Sequence, residues 1–396
     1  MCCLGGLLLQ AGCDIHFASW SQAKYERTVE RQAPLADGST LVAHTSFGSV
    51  TVTGAPRLRG DKLAPAKAGV TDCSVVAEIR GGAPTEEEAQ ELAEQVEIEL
   101  EKVGTTLTVK ADKPRTGHNR SISVSYMIIV PRRTHLDCGS SYGSIKVGDI
   151  NGNVQAKTSS GSITAERIEG FVDLDTSYGS VTCRHITGDT IEARSNSGSL
   201  IAEDIKGSTT LHTSYGKITC TDMSEGDLQL KSNSGTIRIT NASFGDCDAY
   251  TSYGSVVCEM LTGDSIKLHS GSGGIKITQA TSDVTDLSTS YGRITCRQIT
   301  STDLTAKSGS GNLDIACSDS PAGMIADLDT SYGSINFAAP PSFGGRVDLS
   351  TSHGSVKTDL PITISGEVSK KKIRGTVGQG SGKLHLHTGS GSINLM

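Results

Sequence analysis

The chain has 396 residues, enough for two or three average domains or for one elongated domain. Glycine accounts for 46 residues, well above the usual share of ~7%, whereas aromatic residues make up only 4%. This composition favours many short strands with tight turns over a large globular core. The formal net charge is −7 and both signs are interspersed, so no basic surface is evident and we expect no nucleic-acid partner.

The N-terminus carries a short apolar run, Leu4 to Leu9, followed by Gln10-Ala11-Gly12-Cys13. The run is too short to span a bilayer. Small residues just before a cysteine resemble the lipobox of bacterial lipoproteins, although Gln10 stands where leucine is usual and no lysine or arginine precedes the run. This resemblance implies that residues 1–13 are a lipoprotein signal, that Cys13 carries lipid, and that the protein is extracytoplasmic and membrane-anchored. The alternative is an apolar terminus without lipid.

Two regions are predicted between this signal and the main repeat. Residues 14–40 carry few structural signals and are predicted to be a tether, and residues 41–138 are predicted to be a small cap region of strands and one helix. The helix is predicted over 84–103, because Thr85 and Glu88 form a capping box and apolar residues then recur at helical spacing. Strands are predicted at 41–43, 45–52, 73–80, 106–111 and 121–130.

From residue 139 to the end, one motif recurs. Ser-Tyr-Gly alternates with Ser-Gly, and each contains an anchor glycine. These glycines are Gly143, Gly161, Gly179, Gly198, Gly216, Gly235, Gly254, Gly273, Gly292, Gly311 and Gly333, with less regular copies at Gly354, Gly382 and Gly391. Most neighbouring anchors are separated by eighteen or nineteen residues. A fixed period this short is typical of a solenoid, so residues 139–396 are predicted to form a β-solenoid domain with an irregular C-terminal cap.

Alignment on the anchor glycine shows how each coil would fold. A branched apolar residue stands two positions after nearly every anchor, as in Ile163 and Val181, a second small or apolar residue stands two positions later, and polar residues lie between. Period-two alternation predicts a strand with one inward face. The fold class is therefore all-β, a parallel β-solenoid of ~18–19-residue coils with a small α+β N-terminal cap region. We expect the anchor glycines to take positive φ, and the Ser or Thr three positions before each to satisfy backbone groups.

The alternating motif places a tyrosine in every second coil, with serine at the same position between. The tyrosines are Tyr142, Tyr178, Tyr215, Tyr253, Tyr291 and Tyr332. Strand spacing would separate successive rings by ~10 Å. Two interpretations stay open. The rings cover the small residues of neighbouring coils and seal the corner, or they form a row of platforms that binds a glycan or another repetitive cell-surface polymer.

No catalytic, cofactor-binding or metal-binding site is predicted. Gly139-Ser-Ser141-Tyr-Gly143 matches G-x-S-x-G, but a nucleophile elbow needs a strand-to-helix turn and a strand is predicted to follow here. His385 and His387 would share one face of a strand, which is a weak metal signal. Four cysteines share one inward position two coils apart, too far for disulfides, and are predicted to be small buried hydrophobes. They are Cys183, Cys220, Cys258 and Cys296.

Three stretches carry a resemblance to a known family. They are Gly48-Ser-Val-Thr-Val-Thr-Gly54, Val124-Ser-Tyr-Met-Ile-Ile-Val-Pro131, and Gly378-Gln-Gly-Ser-Gly-Lys-Leu384 leading into Gly391-Ser-Ile393. Their order resembles the putative-adhesin family of bacterial β-strand-repeat proteins, a domain of unknown function, from roughly residue 40 to the end. Members of that family are often exported or membrane-anchored, which implies the same here. The resemblance supplies no catalytic residues.

These observations favour a non-enzymatic cell-envelope protein whose solenoid presents a surface for adhesion or scaffolding. We expect a monomer, because the N-terminal region and the tail after Pro340 look like caps. One alternative is a carbohydrate-active enzyme built on a β-helix, disfavoured because the coils are short and uniform. Another is a self-assembling structural filament, since uncapped solenoid ends expose unpaired strand edges.

Overall fold

The computed structural model describes residues 23–56, 72–319, 321, 323–365 and 368–396. Strands dominate these residues, and one helix, α1 (Glu86–Glu94), lies among them. The strands are β1 (Ala23–Pro34), β2 (Thr40–Thr45), β3 (Val50–Gly54), β4 (Asp72–Ala83), β5 (Glu97–Val103), β6 (Thr106–Asp112), β7 (Ser121–Val130), β8 (His135–Ser140), β9 (Ile145–Ile150), β10 (Val154–Thr158), β11 (Ile163–Glu169), β12 (Val172–Thr176), β13 (Val181–Ser195), β14 (Leu200–Thr213), β15 (Ile218–Ser224), β16 (Leu228–Ser232), β17 (Ile237–Thr251), β18 (Val256–Ser270), β19 (Ile275–Ile277), β20 (Ala280–Thr289), β21 (Ile294–Ser308), β22 (Leu313–Cys317), β23 (Ile325–Thr330), β24 (Ile335–Ala338), β25 (Gly345–Thr351), β26 (Val356–Thr358), β27 (Ile362–Ile364), β28 (Lys372–Val377), β29 (Gly382–Thr388) and β30 (Ile393–Leu395).

The strands stack as a parallel β-solenoid, which confirms the predicted fold class. Each coil is named here by its anchor glycine. In the Gly161 coil, β10 leads into the glycine corner and β11 leads away from it. β10 pairs in parallel with β12 of the next coil, and β11 pairs in parallel with β13. The segments before the corner therefore stack as one face, the entry sheet, and the segments after it stack as a second, the exit sheet. Long strands such as β13 run from the exit sheet of one coil into the entry sheet of the next.

The core consists of columns of side chains that repeat from coil to coil. Ile163 and Val181 are direct neighbours across β11 and β13, and both are fully buried. A third buried column, absent from the sequence prediction, includes Ile168 and Ile186. Arg167 and His185 precede these residues with φ values of 55° and 53°, so the backbone turns and the next side chain points inward again. Strict alternation ends at this turn, which is why the pattern did not show the third column.

The anchor glycines stack backbone against backbone. A Cβ on Gly161 would lie 1.9 Å from the carbonyl oxygen of Gly143, and one on Gly179 would lie 1.9 Å from that of Gly161. Of the described anchor glycines only Gly48 takes a clearly positive φ, of 130°. The expectation of positive φ is therefore wrong for the repeat. Glycine is needed there because neighbouring corners lie too close for any side chain.

A column of buried hydroxyl groups fixes each corner, as predicted. Thr176 Oγ1 donates to the carbonyl of Gly161 in the preceding coil at 2.8 Å and accepts from the amide of Gly179 in its own coil at 3.2 Å. Ser195 repeats both bonds with Gly179 and Gly198, at 2.9 and 2.8 Å. Each hydroxyl thus links two successive corners and satisfies two backbone groups that would otherwise be buried without partners.

The parallel stack continues toward the N-terminus beyond the predicted repeat. β2 pairs in parallel with β8, and β3 pairs in parallel with β9, so residues 40–54 form a Gly48 coil. β6 and β7 add to the far side of this coil. Antiparallel pairing of β5 with β6, and of β4 with both β7 and β1, then closes the end of the stack.

Two predicted boundaries in this region are wrong. Residues 23–34, assigned to a tether, form β1, which pairs with β4 along its whole length. The predicted helix over 84–103 ends at Glu94, and Glu97–Val103 is a strand. Thr85 does cap α1, accepting from the amide of Glu88 at 3.3 Å. Beyond the helix, glutamate alternates with Ile98 and Leu100. This period-two alternation is typical of a strand, and the chain forms a strand here although the apolar spacing also fits a helix.

The C-terminal tail threads out of sequence order. β29 lies between β23 and β25, and β30 lies between β24 and β26, with all four pairings parallel. The spatial order of the last coils is therefore Gly333, Gly391, Gly354. β28 closes this end by pairing antiparallel with β25 and β27. The tail predicted to be an irregular cap thus supplies two regular coils and an antiparallel closure.

Candidate functional site

The six predicted tyrosines lie at the glycine corner, and their side chains are 63–72% exposed. The aligned serines between them, such as Ser160 and Ser197, are also exposed. Neither the rings nor these serines are buried, so aromatic faces and small hydroxyl groups are both accessible to a ligand at the corner. We call the exposed aromatic column the tyrosine ridge. It comprises Phe47, Tyr142, Tyr178, Tyr215, Tyr253, Tyr291, Tyr332 and His353.

The alternation of ring and serine holds in space even where the sequence breaks it. Along the chain Tyr332 is followed by His353 and then Ser390. Because the Gly391 coil lies between the Gly333 and Gly354 coils, the spatial order is Tyr332, Ser390, His353. The out-of-order coil thus places a small residue where the alternation requires one.

Two rings meet directly at the N-terminal end of the ridge. Phe47 occupies the tyrosine position of the Gly48 coil and stacks on Tyr142 of the adjacent coil, with ring centroids 4.8 Å apart and planes 5° from parallel. Phe47 was not among the predicted site residues, although Thr45-Ser46-Phe47-Gly48-Ser49-Val50 matches the coil pattern. Beyond this pair, one ring occurs every second coil, at ~10 Å by strand spacing.

The ridge is rigid because its backbone belongs to the coil stack. The amide of Tyr178 donates to the carbonyl of Ser159 at 3.0 Å, and that of Tyr215 donates to the carbonyl of Asn196 at 3.1 Å. The buried hydroxyl column lies directly beneath. Binding of a ligand to the rings therefore does not require a loop to become ordered. The conformational entropy that the protein loses is limited to the side-chain rotamers.

The corner around the rings is nearly uncharged. From the Gly143 coil to the Gly333 coil, the anchor glycine, the two residues before it and the one after it include only Lys217 and Arg293 as charged residues. The other positions hold Tyr, Ser, Gly, Asn and one Thr. Antibody combining sites are enriched in Tyr, Ser, Gly and Asn, because tyrosine offers a large rigid amphipathic contact and the small polar residues offer adaptable hydrogen bonds. The composition therefore suits recognition of a neutral, hydroxyl-rich ligand.

The cysteine column is buried and unpaired, as predicted. Cys183, Cys220, Cys258 and Cys296 are free thiols in the core. Burial raises the pKa of Cys183 and of Cys258 to about 12. Cys247 of the entry sheet is also buried, and its thiol pKa is raised well above its usual value, first by burial and then by the nearby Cys258 and Cys220. Such thiols stay protonated and are poor nucleophiles or metal ligands.

The remaining candidate residues of the sequence analysis do not assemble into a reactive site. Ser141 is followed by the strand β9, which does not fit a nucleophile elbow. His385 Nδ1 lies 2.8 Å from Asp327 Oδ1, whereas His387 Nδ1 lies 3.0 Å from Ser350 Oγ. In the part of the chain that the structure describes, no three His, Cys, Asp or Glu side chains are grouped to hold a metal ion.

Cys13 lies outside the described residues, so its lipidation stays a prediction. Among the residues that are described, the one helix is nine residues long, and no helix has the length and hydropathy needed to cross a bilayer. The first described strand, β1, begins ten positions after Cys13, at the end of the solenoid that β1, β4 and β5 close.

Three solved structures are similar to the chain at low identity. The first, described as a putative cell adhesion protein from Clostridium sporogenes, is 10% identical, covers 93% of this chain and 99% of its own, and has a TM-score of 0.17. The second, a putative adhesin from Bacteroides fragilis, is 13% identical, with coverage of 93% and 97% and a TM-score of 0.20. The third, a putative lipid binding protein from Parabacteroides distasonis, is 14% identical, with coverage of 93% and 96% and a TM-score of 0.20.

The parallel strand pairing of the chain defines its fold. No curated protein matches the chain. A family model does match it, over residues 85–246 and 214–396, and this model is described as Toastrack DUF4097. The two matches overlap and together cover the repeat and part of the N-terminal region, which is well over half of the chain. The chain therefore belongs to the Toastrack DUF4097 family.

Proposed function

We propose that the tyrosine ridge is a binding surface for a linear, hydroxyl-rich polymer, and that the protein acts in adhesion or scaffolding at the cell envelope without catalysis. The observation that carries this proposal is the ring-and-serine alternation, which the threading of the C-terminal coils maintains in space. A purely structural column would not need exposed rings, since exposed tyrosines contribute little to the core.

A glycan is the polymer that fits the ridge best. Sugar rings present C–H faces that pack on aromatic faces, and their hydroxyls pair with small polar side chains such as Ser177 and Ser180 beside Tyr178. In an extended glycan with alternating ring orientation, the same face recurs once per disaccharide, a repeat comparable with the two-coil spacing of the tyrosines. The near absence of charge at the corner favours a neutral chain.

The test is binding of the purified protein to a glycan array and to insoluble cell-wall polysaccharides. Replacing all six tyrosines with serine should abolish binding, because only Phe47 and His353, at opposite ends of the ridge, then keep a ring. Replacing them with phenylalanine should retain most of it, because ring stacking survives. Tyr250→Ser, which removes an exposed tyrosine outside the ridge, is the control on the neutral glycans and should bind these as wild type does. Equal binding by wild type and the serine variant, or no binding by either, removes the proposal.

We propose that Cys13 anchors the protein to the membrane through lipid. The closed N-terminal end of the solenoid would then face the bilayer, and the Gly354 coil would be farthest from it. Radiolabelled palmitate should be incorporated into the wild-type protein and not into Cys13→Ala. The wild-type protein should also be found in the membrane fraction, and Cys13→Ala should not. Incorporation that survives Cys13→Ala would show that the lipid is attached elsewhere.

Two alternatives remain testable with the same preparations. A carbohydrate-active enzyme would release reducing ends from the polysaccharide that it binds, which a reducing-sugar assay detects. A self-assembling filament would have a particle mass that rises with protein concentration, which light scattering measures. The antiparallel closures made by β5 and β4 at one end and by β28 at the other favour a monomer, because closed ends leave fewer edges for stacking.

A further inference from the structure

A second surface lies on the outer face of the entry sheet, three residues before the ridge position in each coil. There five successive coils contribute outward side chains that are direct parallel neighbours. We call them the cationic stripe, which comprises Arg194, His212, Lys231, Tyr250 and His269. With ~4.8 Å between coils, the stripe is roughly 19 Å long and runs parallel to the solenoid axis.

The stripe contains hydrogen-bond donors and no carboxylate. Asp175 precedes it in the same column and Ser288 follows it. Arg194 is paired with Asp173, at 3.2 Å, and with Glu192. Lys231 has no such partner: among the described residues no carboxylate oxygen lies within 4.0 Å of its ammonium group. The centre of the stripe therefore holds a positive charge that no direct ion pair neutralises.

The positively charged neighbours of the stripe also affect the pKa of His212. Its pKa is lowered from the usual value first by partial burial and then by the charges of Lys231 and Arg194 on the coils at either side. Thr210 and Gln229 occupy the adjacent column at the coils of His212 and Lys231, and Glu192 and Asp248 continue that column on the coils at either side. An anion placed over His212 would be attracted chiefly by Lys231, because Arg194 is already paired with Asp173 and Glu192, and it would favour protonation of the imidazole.

The largest ring of the stripe, Tyr250, cannot serve as a stacking platform. Tyr250 and His269 stack on each other with centroids 4.8 Å apart and planes 5° from parallel, and the ammonium of Lys231 lies 5.9 Å from the Tyr250 centroid. Both ring faces of Tyr250 are thus turned toward neighbouring side chains, and its hydroxyl is left for a ligand. Single-stranded nucleic acids bind largely by stacking bases on open aromatic faces, so this arrangement disfavours them.

We propose that the cationic stripe binds an acidic polysaccharide, whose carboxylate or sulfate groups lie along the solenoid axis. This goes beyond the ridge proposal, because it involves different residues, a different face and charged ligand groups. One exposed charge contact in water contributes little. A polymer that presents several anions to successive coils gains from multivalency, because each later contact forms at a high effective concentration.

The chain provides a matched control for charge. Lys267 lies on the same sheet face in the neighbouring column, where its parallel neighbours are Asp248 and Asp286. Its charge is therefore flanked by two carboxylates. Replacing it changes the net charge as much as replacing Lys231 does, but leaves the stripe intact.

The experiment measures binding of fluorescent dextran sulfate, polygalacturonate and neutral dextran to the full chain. Wild type should bind both anionic polymers. Dextran sulfate has the same charge at pH 5.5 and at pH 7.5, and wild type should bind it more tightly at pH 5.5. His212→Gln with Lys231→Gln should raise the dissociation constant about tenfold or more, which corresponds to ~1.4 kcal/mol. Lys267→Gln should change it by less than about twofold.

Three results would overturn the inference. They are an equal loss of affinity in Lys267→Gln, binding of neutral dextran to the six-tyrosine serine variant as tight as that of the anionic polymers, and displacement of polygalacturonate by single-stranded DNA at lower concentration than by dextran sulfate. The six-tyrosine serine variant is measured alongside. If that variant loses the anionic polymers while the stripe variant keeps them, the polymer lies on the ridge, so the stripe proposal fails and the ridge proposal stands. The opposite pattern supports the stripe alone.

Discussion

At each glycine corner, one hydroxyl group makes two hydrogen bonds that the backbones of neighbouring coils would otherwise lack. Thr213 is fully buried, donates to the carbonyl of Gly198 at 2.9 Å and accepts from the amide of Gly216 at 3.1 Å. A buried backbone group left without a partner costs more free energy than a hydrogen bond normally contributes. The Ser or Thr column is therefore a structural requirement of the corner, and the exposed position two residues later is free to carry function.

Thr213→Val tests this requirement, since valine keeps the shape of threonine and removes the hydroxyl. We expect the free energy of unfolding to fall by ~1–3 kcal/mol, because one carbonyl and one amide lose their partner. Thr213→Ser keeps the oxygen, as Ser195 and Ser232 do in their own coils, and should cost clearly less. Urea titration followed by circular dichroism measures both variants. A valine variant as stable as the serine variant would contradict the account.

At the scale of elements, the C-terminal coil is an internal part of the stack although it comes last in the sequence. β29 and β30 pair with the Gly333 coil on one side and the Gly354 coil on the other. Thr388 and Thr351 continue the corner bonds in this spatial order, to Gly333 and Gly391. The stability of residues 345–358 therefore depends on residues that follow them in the chain.

Deletion of 382–396 tests this dependence. In a solenoid threaded in order, removing the last coil exposes the coil before it and leaves that coil folded. Here, β25 and β26 would lose their parallel partners, and we expect residues 345–358 to lose amide protection while the Gly311 coil retains it. Hydrogen exchange with mass spectrometry measures both regions in one sample. Full protection of residues 345–358 in the truncated protein would contradict the threading.

At the scale of the whole molecule, buried thiols are distributed along the solenoid and in its N-terminal region. Burial raises the pKa of Cys73, Cys138, Cys183, Cys258 and Cys317 to about 12. An unfolded thiol releases its proton near pH 9, whereas the folded one keeps it. Folding is thus unaffected by these groups below pH 9, and it becomes progressively less favourable as the pH rises toward 12.

Each such thiol should lower the free energy of unfolding by up to ~1.4 kcal/mol per pH unit in that range. We expect the melting temperature to fall steeply between pH 9 and 10.5. Cys183→Ala should reduce this slope, and packing should tolerate the change because Ala165 and Ala202 occupy the same position in the adjacent coils. Calorimetry of both proteins at several pH values measures the slope, and identical slopes would show that Cys183 ionises in the folded state.

Much of the solenoid followed from the sequence because its determinants are local. The apolar residues after each anchor glycine alternate with period two, and this sufficed to place Ile163 beside Val181. The third buried column was not predicted, because a residue with positive φ interrupts the alternation just before Ile168. The helix prediction failed beyond Glu94 because Leu100 fits a helical and a strand spacing equally, and only its pairing with Val109 decides between them.

The candidate surfaces were accessible to sequence reasoning to different degrees. The tyrosines share one repeated motif and were found, and Phe47 was missed because its coil lies far upstream of the repeat. The cationic stripe combines five residues of four types, including Tyr250 and Lys231, so no motif marks it. Only the strand register brings these residues into one column. The spatial order of the Gly391 and Gly354 coils depends on long-range pairing, which local patterns do not encode.

The threading of the C-terminal coils also constrains the order in which the chain can fold during its synthesis. A ribosome releases the chain from the N-terminus, so the coils up to Gly333 can close one after another as they emerge. Residues 345–358 cannot dock in their final place until residues 382–395 have been made and inserted beneath them. This end of the rod is therefore completed only after translation of the segment, and until then the upper edge of the Gly333 coil stays open to chaperones or to a neighbouring nascent chain.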